Sequence, residues 1–400
     1  MVLPMKIRLH QAYSIRIPMR TPYPHNLSVR KSAESIVVQL QDDLGYMGFG
    51  EGSPRSYVTG ETLESCLDFL NDIVFPWLST RAWPGPLRSR AEFMDFLARF
   101  HSEFPVIRGQ PSHSHNSSRA AVEIALADCA LQRAGARFED FFPIKRNLLR
   151  YSPGIGSVNP SVAFGIASAS RILGFKDLKV KLNGIKDIER TRSVRRATGR
   201  KTSLRLDANQ AYCLGNASHI RKLQSLKEFH PVCIEEPFAE KDHEEIRKVR
   251  EHTGLTLMAD ESLLNLDDAQ TIIALESYNA LNLRISKLGG IYPLIQIKEL
   301  ASRHGLLLLL GCHVGELAIL SRVGQLLAAH FSDIAHLEGG FGTWILKSDV
   351  DSHSRRMGYG GKFKVLPGDV SFGLQVEASR LQHWQTASLR ESRSGAEVRI

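Results

Sequence analysis

From about residue 150 the chain alternates short apolar runs with amphipathic stretches. The runs cover 154–158, 178–182, 203–206, 232–234, 255–259, 280–285 and 306–310, with a weaker one at 334–337. Between them, 187–198, 216–229, 241–252, 266–274, 291–304 and 315–331 carry apolar residues at helical spacing. Strands that are apolar nearly throughout, each followed by a helix, predict a parallel sheet covered on both faces. Seven or eight such units in under 200 residues favour a closed barrel over an open, doubly wound sheet. No GxGxxG opens any of the helices, which counts against dinucleotide binding.

The first third has a different texture. Residues 36–41 predict a strand, Asp42-Asp43-Leu44-Gly45 a turn and 46–50 a return strand, hence a hairpin. Pro18, Pro22 and Pro24 mark a loop, and 63–70 and 118–134 have helical spacing, the second closing at Gly135. This region is α+β. After residue 345 the repeat stops: 349–362 is polar and Gly-rich, 365–376 is extended and 379–400 is a polar tail. The expected division is 1–140, 150–345 and 346–400.

Composition narrows the class. Four hundred residues, 43% hydrophobic and 23% charged, exclude a disordered chain, a collagen-like repeat and a disulfide-built miniprotein. The five cysteines, odd in number and without a CxxC pair, point to a reducing compartment. No apolar run approaches the ~18 residues of a membrane span. The first ten residues lack a signal-like apolar segment, so a cytoplasmic protein is expected. The excess of 51 basic over 42 acidic residues gives +9 and raises the question of nucleic acid. The basic residues are dispersed, and their best cluster (Arg190, Arg192, Arg195, Arg196, Arg200) accompanies no nucleic-acid motif, so none is expected as a partner.

Candidate chemistry lies where the apolar runs end. Successive runs close on Lys179-Val180-Lys181, on Asp207-Ala208-Asn209, on Glu235-Glu236-Pro237, on Asp260-Glu261-Ser262 and on Ser286-Lys287-Leu288-Gly289-Gly290. Lys181, Asp207, Glu235, Asp260 and Lys287 recur 25 to 28 residues apart, one βα unit each. In a barrel these strand ends converge on one rim, where active sites sit. Three carboxylates brought together repel one another and need a cation. All-oxygen ligands select a hard ion, Mg²⁺ or Mn²⁺. A lysine beside such an ion and another lysine can serve as a base. The chemistry that fits is removal of a proton α to a carboxylate, with a metal-stabilised enediolate as intermediate. Glu236 reads as a structural partner, Glu261 as a residue orienting Lys287, and Asn209 as a partner of a metal-bound water or a turn cap.

Together these five motifs resemble the enolase superfamily, in its muconate lactonising subgroup. Gly45-Tyr46-Met47-Gly48-Phe49-Gly50-Glu51, Thr59-Gly60-Glu61-Thr62 and 120–134 resemble that family's N-terminal cap, and 367–377 resembles the segment that returns to it. The resemblance implies a modified (β/α)7β barrel, closed by an α+β cap built from both chain ends. It implies Mg²⁺ or Mn²⁺ on Asp207, Glu235 and Asp260, Lys181 and Lys287 as an acid/base pair, and Lys179 as an electrostatic aid. It further implies a homo-oligomer, a small carboxylate-bearing substrate, and a mobile cap loop over 18–30 offering Arg20, Tyr23, His25 and Arg30 as substrate contacts. An isomerase, either a racemase/epimerase or a muconate-type cycloisomerase, is the first expectation. A dehydrating lyase of the o-succinylbenzoate synthase type, or an anion-binding protein on an inherited fold, are the alternatives.

Two stretches depart from relatives. The eighth strand end, His336-Leu337-Glu338-Gly339-Gly340, lacks the Asp-x-Asp with which dipeptide epimerases of the subgroup hold an amino terminus. The seventh, Gly311-Cys312-His313-Val314-Gly315-Glu316, carries His where relatives often have Met or Ser. His313 and Glu316 are therefore further candidate substrate contacts, and Cys312 is the only cysteine placed near the rim.

Overall fold

The computed structural model describes residues 4–25, 28–353 and 356–386. Its N-terminal part is an antiparallel sheet of β1 (Ile7–His25), β2 (Ser28–Asp42) and β3 (Met47–Gly52) in that order. The hairpin turn forms as expected, with Asp42 Oδ1 accepting the N–H groups of Leu44 and Tyr46, both at 2.9 Å. The loop expected around the prolines is instead strand: Pro18 pairs with Ser32, and Pro24 with Val29. β1 is an edge strand, where a missing N–H is tolerated, and a register shift between Pro18 and Tyr23 absorbs the mismatch.

The helix Asn116–Ala134 lies across this sheet and ends at left-handed Gly135. It packs unusually close to β3. A Cβ on Gly48, Gly50 or Gly52 would meet the carbonyl oxygens of Ala125, Ala121 and Ser117 at 2.1, 1.9 and 2.0 Å. The alternating glycines are therefore a track for the helix backbone.

Eight parallel strands follow, numbered here in chain order within the barrel: Gly154–Ile155, Asp177–Lys181, Ser203–Asp207, Ile234–Glu235, Leu257–Ala259, Ala280–Leu283, Leu307–Leu310 and Ile334–Leu337. They pair in sequence order, and Ser152 N–H donates to Leu337 O at 3.1 Å, joining the two edges. Helical crossovers separate them, so the observed architecture is the expected (β/α)7β type. The sixth strand is shorter than the apolar run suggested. It stops at Leu283, and Ile285–Leu288 is a helical turn.

The C-terminal segment runs back to the cap. Ser371 bridges to Arg137 and its hydroxyl donates to Asp128 at 2.5 Å, while Gln385 bridges to Ile15. The polar tail becomes helical over Ala378–Trp384, and 387–400 lies outside the described residues. No helix among the described residues is long and apolar enough to cross a membrane.

Cap and barrel are joined by buried carboxylates. Glu51 of β3 accepts the N–H groups of Leu317 (2.7 Å) and Leu320 (3.0 Å), at the start of the helix Ala318–His330. Glu123 accepts those of Ile291 (2.5 Å) and Tyr292 (2.9 Å), at the start of the helix Ile291–Arg303. Helix N-termini offer unpaired N–H groups and a positive dipole end, so a carboxylate is a fitting seat there.

Candidate active site

Side chains two apart on a strand share a face. Lys179 and Lys181 on the second strand, Arg205 and Asp207 on the third, and Asn282 with Arg284 at the sixth form such pairs. Their interactions converge inside the barrel and at its C-terminal mouth. Lys179 Nζ lies 2.8 Å from Asp207, 2.9 Å from Glu235 and 3.2 Å from Glu338. Lys181 donates to Asp207 at 3.1 Å and to Asn209 at 2.6 Å. Asn282 donates to Glu235 at 2.9 Å, and Arg205 to Glu338 at 2.5 Å and to the Ser152 hydroxyl. Arg284 donates to Asp260 and stands 3.5 Å from Glu235.

The electrostatics follow from this weave. Burial alone would raise Asp207, but Lys179 and Lys181 overcome it and hold the carboxyl well below its usual range. Asp260 is treated likewise by Arg284 and Lys287, down to about 2 despite full burial. Glu235, between two other acids, is pushed up by burial, with Asp207 and Asp260 adding to the rise and Lys179 opposing it. Burial also lifts Glu261 to about 8, with Asp260 and Glu236 adding to the effect.

Glu236 is a structural clamp. It accepts the N–H of Asp260 (2.7 Å) and the N–H and hydroxyl of Ser262 (3.0 and 2.6 Å), tying the fourth strand end to the fifth. Glu261 acts on Lys287 through its charge. Its Oε1 accepts from Asn209 at 3.3 Å.

The sixth strand end differs most from the expected placement. Because the sixth strand stops at Leu283, residue 284 occupies the strand end and Lys287 falls in the following turn. Lys287 is fully buried and donates to Asp260 O (2.6 Å), Asp260 Oδ1 (2.8 Å) and Asn282 O (2.9 Å). Burial lowers its pKa. It does not line the cavity at the barrel mouth, and Arg284 does. Arg284 was missed by reading charged residues only at the ends of apolar runs. The alternation Leu281-Asn282-Leu283-Arg284 carried the signal, since it puts both polar residues on one face.

That cavity, of about 230 Å³, is also bordered by Lys179, Lys181, Asp207, Asn209 and Glu261. His313, Glu316 and Cys312 from the seventh strand end lie in its wall, with Tyr57 of the cap. Burial pushes the Cys312 thiol well up, with Glu316 adding to the rise, which makes it a poor nucleophile. Burial, with Arg284 and Arg55 nearby, pushes His313 well down, so its ring is neutral. Both its ring nitrogens are sealed from solvent and without a hydrogen-bond partner. Glu316 accepts the His313 N–H at 2.7 Å, and burial raises it to about 7. Arg20 is not in this cavity. It borders a neighbouring cleft with Arg322, Lys347, Arg356 and Arg380. The side chains of Tyr23 and His25 lie outside the described residues. Arg30 stacks over the Tyr57 ring at 5.7 Å.

Among the described residues no group of three His, Cys, Asp or Glu side chains is close enough to hold an ion as it stands. Lys179 and Arg284 stand between the acids. The donor chemistry nevertheless fits: Asp207, Glu235 and Asp260 are buried oxygen donors at three consecutive strand ends. Glu235 Oε2 lies near Lys179 yet has no hydrogen bond of good geometry. A hard divalent cation is the group that satisfies such an oxygen.

Comparison with known proteins agrees with this architecture. The family described as "Enolase C-terminal domain-like" matches residues 166–363. The L-Ala-D/L-Glu epimerase of Clostridium acetobutylicum is 30% identical over 303 residues, which is 74% of this chain and 80% of the relative. The structure of N-succinyl Arg/Lys racemase from Bacillus cereus superposes with a TM-score of 0.82 at 24% identity, covering 95% of this chain and 98% of that one. A dipeptide epimerase from Cytophaga hutchinsonii, complexed with Mg and the dipeptide D-Ala-L-Val, gives 0.81 at 22% identity, covering 96% and 99%. A (β/α)7β barrel with acids on three consecutive strand ends, a capping sheet and relatives of this similarity make the chain an enzyme of the enolase superfamily.

Proposed function

We propose that the protein removes the proton α to the carboxylate of a small substrate, assisted by a divalent metal ion, Mg²⁺ or Mn²⁺. The observation that carries this reading is the placement of Lys181 at the barrel mouth, bonded to Asp207, beside two further acids on the next strands. The Mg reported with the Cytophaga relative supports the choice of ion. Asp207, Glu235 and Asp260 would hold it. When bound, it supplies positive charge beside the substrate carboxylate and lowers the cost of the second negative charge that develops there.

The remaining steps belong to the chain. Lys181 Nζ takes the α-hydrogen as a proton, and the C–H electron pair remains on the substrate as an enediolate. Lys179 adds positive charge beside the site, and Asn209 keeps the Lys181 amine, neutral when it acts as the base, aimed. The cap and the wall formed by His313 and Glu316 exclude water. Glu338 is held by Lys179 and Arg205, which counts against a role in holding a substrate ammonium. The reading therefore leans away from free dipeptides toward substrates without a free amine, such as N-acyl amino acids. Isomerisation is the first outcome for the enediolate. Loss of a β-substituent, as in a lyase, is the second, and the similarity to o-succinylbenzoate synthases supports keeping it. Arg190 and Arg195 are spent on carbonyl oxygens of their own fold, which supports a reading without nucleic acid. The unpaired cysteines support a cytoplasmic site of action, and the family resemblance supports a homo-oligomer.

The test is α-proton exchange. With Mg²⁺ in D₂O, NMR should show loss of the α-proton signal from a panel of N-acyl amino acids and 2-hydroxy acids. Lys181→Ala should slow it about 100- to 10,000-fold. Exchange that survives in Lys181→Ala at the wild-type rate would remove the proposal.

A further inference from the structure

We infer that the cleft beside the mouth cavity is an anion site for the far end of the substrate: it takes a second carboxylate, or a phosphate, carried beyond the reacting carbon. The inference deepens the reading above by naming a substrate class, and it rests on that reading.

The cleft lies where three distant segments meet. β1 supplies Arg20, the helix Ala318–His330 supplies Arg322 and Gln325, and the C-terminal return supplies Lys347 and Arg380. Its volume is about 300 Å³, against about 230 Å³ for the mouth cavity. Ser321, Gly340 and Gly342 border both cavities. A seam of two glycines and a serine has little side-chain bulk to separate them, so one extended molecule can occupy both.

The local chain explains the charge. Met19 and Leu346 face each other in an antiparallel bridge, and both are buried. Side chains alternate across such a pairing, so the residues that follow, Arg20 and Lys347, turn together to the opposite, exposed face. Neither makes an ion pair among the described residues. Two cations on one face repel each other, and an anion between them removes that cost. Arg380, tied to Glu377 at 2.8 Å, adds a guanidinium. The acids of the cleft are already served by backbone. Asp349 accepts the N–H groups of Ala318 (3.0 Å) and Val350 (2.7 Å), and Asp351 those of His353 (3.2 Å) and Gln375 (3.0 Å).

A second observation points to a ligand. Gln325 is only 4% exposed in the wall of the cleft, and its side-chain oxygen has no hydrogen-bond partner. A half-turn of its last torsion offers the amide N–H groups to a ligand oxygen, and the amide oxygen gives up no bond in doing so. Guanidinium, ammonium and carboxamide donors together suit the oxygens of a carboxylate or a phosphate. The substrate class is therefore a carboxylate at the reacting carbon with a second anionic group at the end of an acyl or side chain.

The experiment uses the full-length protein with Mg²⁺ and pairs of N-acyl amino acids that differ only in whether the acyl chain ends in a methyl or a carboxylate. α-Proton exchange in D₂O should give the carboxylate-ended member the larger kcat/KM, by roughly 10- to 100-fold, chiefly through a lower KM. Arg20→Gln combined with Lys347→Gln should remove that preference. Arg20→Lys combined with Lys347→Arg should keep it, because the charges remain. Inorganic phosphate should raise the KM of the carboxylate-ended member alone. A second measurement needs no turnover. With EDTA present, calorimetric titration of inorganic phosphate should show binding roughly tenfold weaker in the double Gln variant than in the wild type. Equal kcat/KM values for the two members in the wild type would overturn the inference, as would a phosphate affinity that the double Gln variant leaves unchanged. Phosphate that binds through Arg20 and Lys347 yet competes with neither member would overturn the link to the substrate and make a free anion the ligand. If no member exchanges in the wild type, the reading beneath the inference falls, and the phosphate titration alone decides whether the cleft binds anions.

Discussion

Two sets of buried carboxylates do opposite work in this molecule. Asp207, Glu235 and Asp260 at the barrel mouth are balanced by the side chains of Lys179, Lys181, Arg284 and Lys287. Glu51 and Glu123 at the seam between cap and barrel are balanced chiefly by backbone N–H groups at helix starts. All are almost fully inaccessible. The difference lies in what their partners can do. A lysine or arginine on a flexible stem can trade one partner for another when an ion or substrate arrives. A helix N-terminus cannot move without moving the helix. The first set is suited to changing its contacts, and the second to holding two parts of the fold in register.

The contrast can be broken most forcefully at Glu235. Glu235→Ala leaves Lys179 and Arg284 with one acid fewer in a buried site. Urea unfolding should show a loss of about 3–5 kcal/mol, together with loss of Mg²⁺-dependent exchange. A loss below about 1 kcal/mol would show instead that the cations relax into the cavity. At the seam, Glu123→Gln keeps one acceptor and loses the charge. Stability should fall by about 1–2 kcal/mol, with exchange unaffected once the protein is folded.

The finest distinction is a pH slope. Burial raises Glu51 from its ordinary 4.5 to about 8, against the backbone N–H groups that favour the charged form. The folded protein then holds a proton that the unfolded chain has already released. The contribution from Glu51 is fully present below pH 4.5 and is lost as pH rises toward 8. Glu51→Gln should flatten the decline in Tm across that window. An unchanged slope would show that the helix start, and not burial, sets the charge of this group.

Much of the fold was legible because barrel periodicity is strong: five charged residues at or just beyond strand ends recur at one βα spacing. The sixth strand shows where legibility stopped. An apolar run that continues to Ile285 gives no sign that the strand ends at Leu283 and a helical turn begins. That shift puts Arg284 at the strand end and Lys287 in the following turn. Arg205 and Glu338 were missed for a related reason: their pairing crosses the barrel interior, and nothing local in either segment announces it. The prolines of β1 misled in the other direction, since an edge strand accepts what a central one would reject.

By itself, the chain's pattern determined the barrel, an α+β first third and the three acids, because each follows from local spacing and residue chemistry, whereas the cap was implied by the family resemblance. Only the tertiary structure decided which cation each acid holds. That choice depends on where a strand yields to a turn and on Asn116 reaching from the cap to pin that turn. These are contacts between segments far apart in sequence, and their energies balance only once the strands have closed around the site.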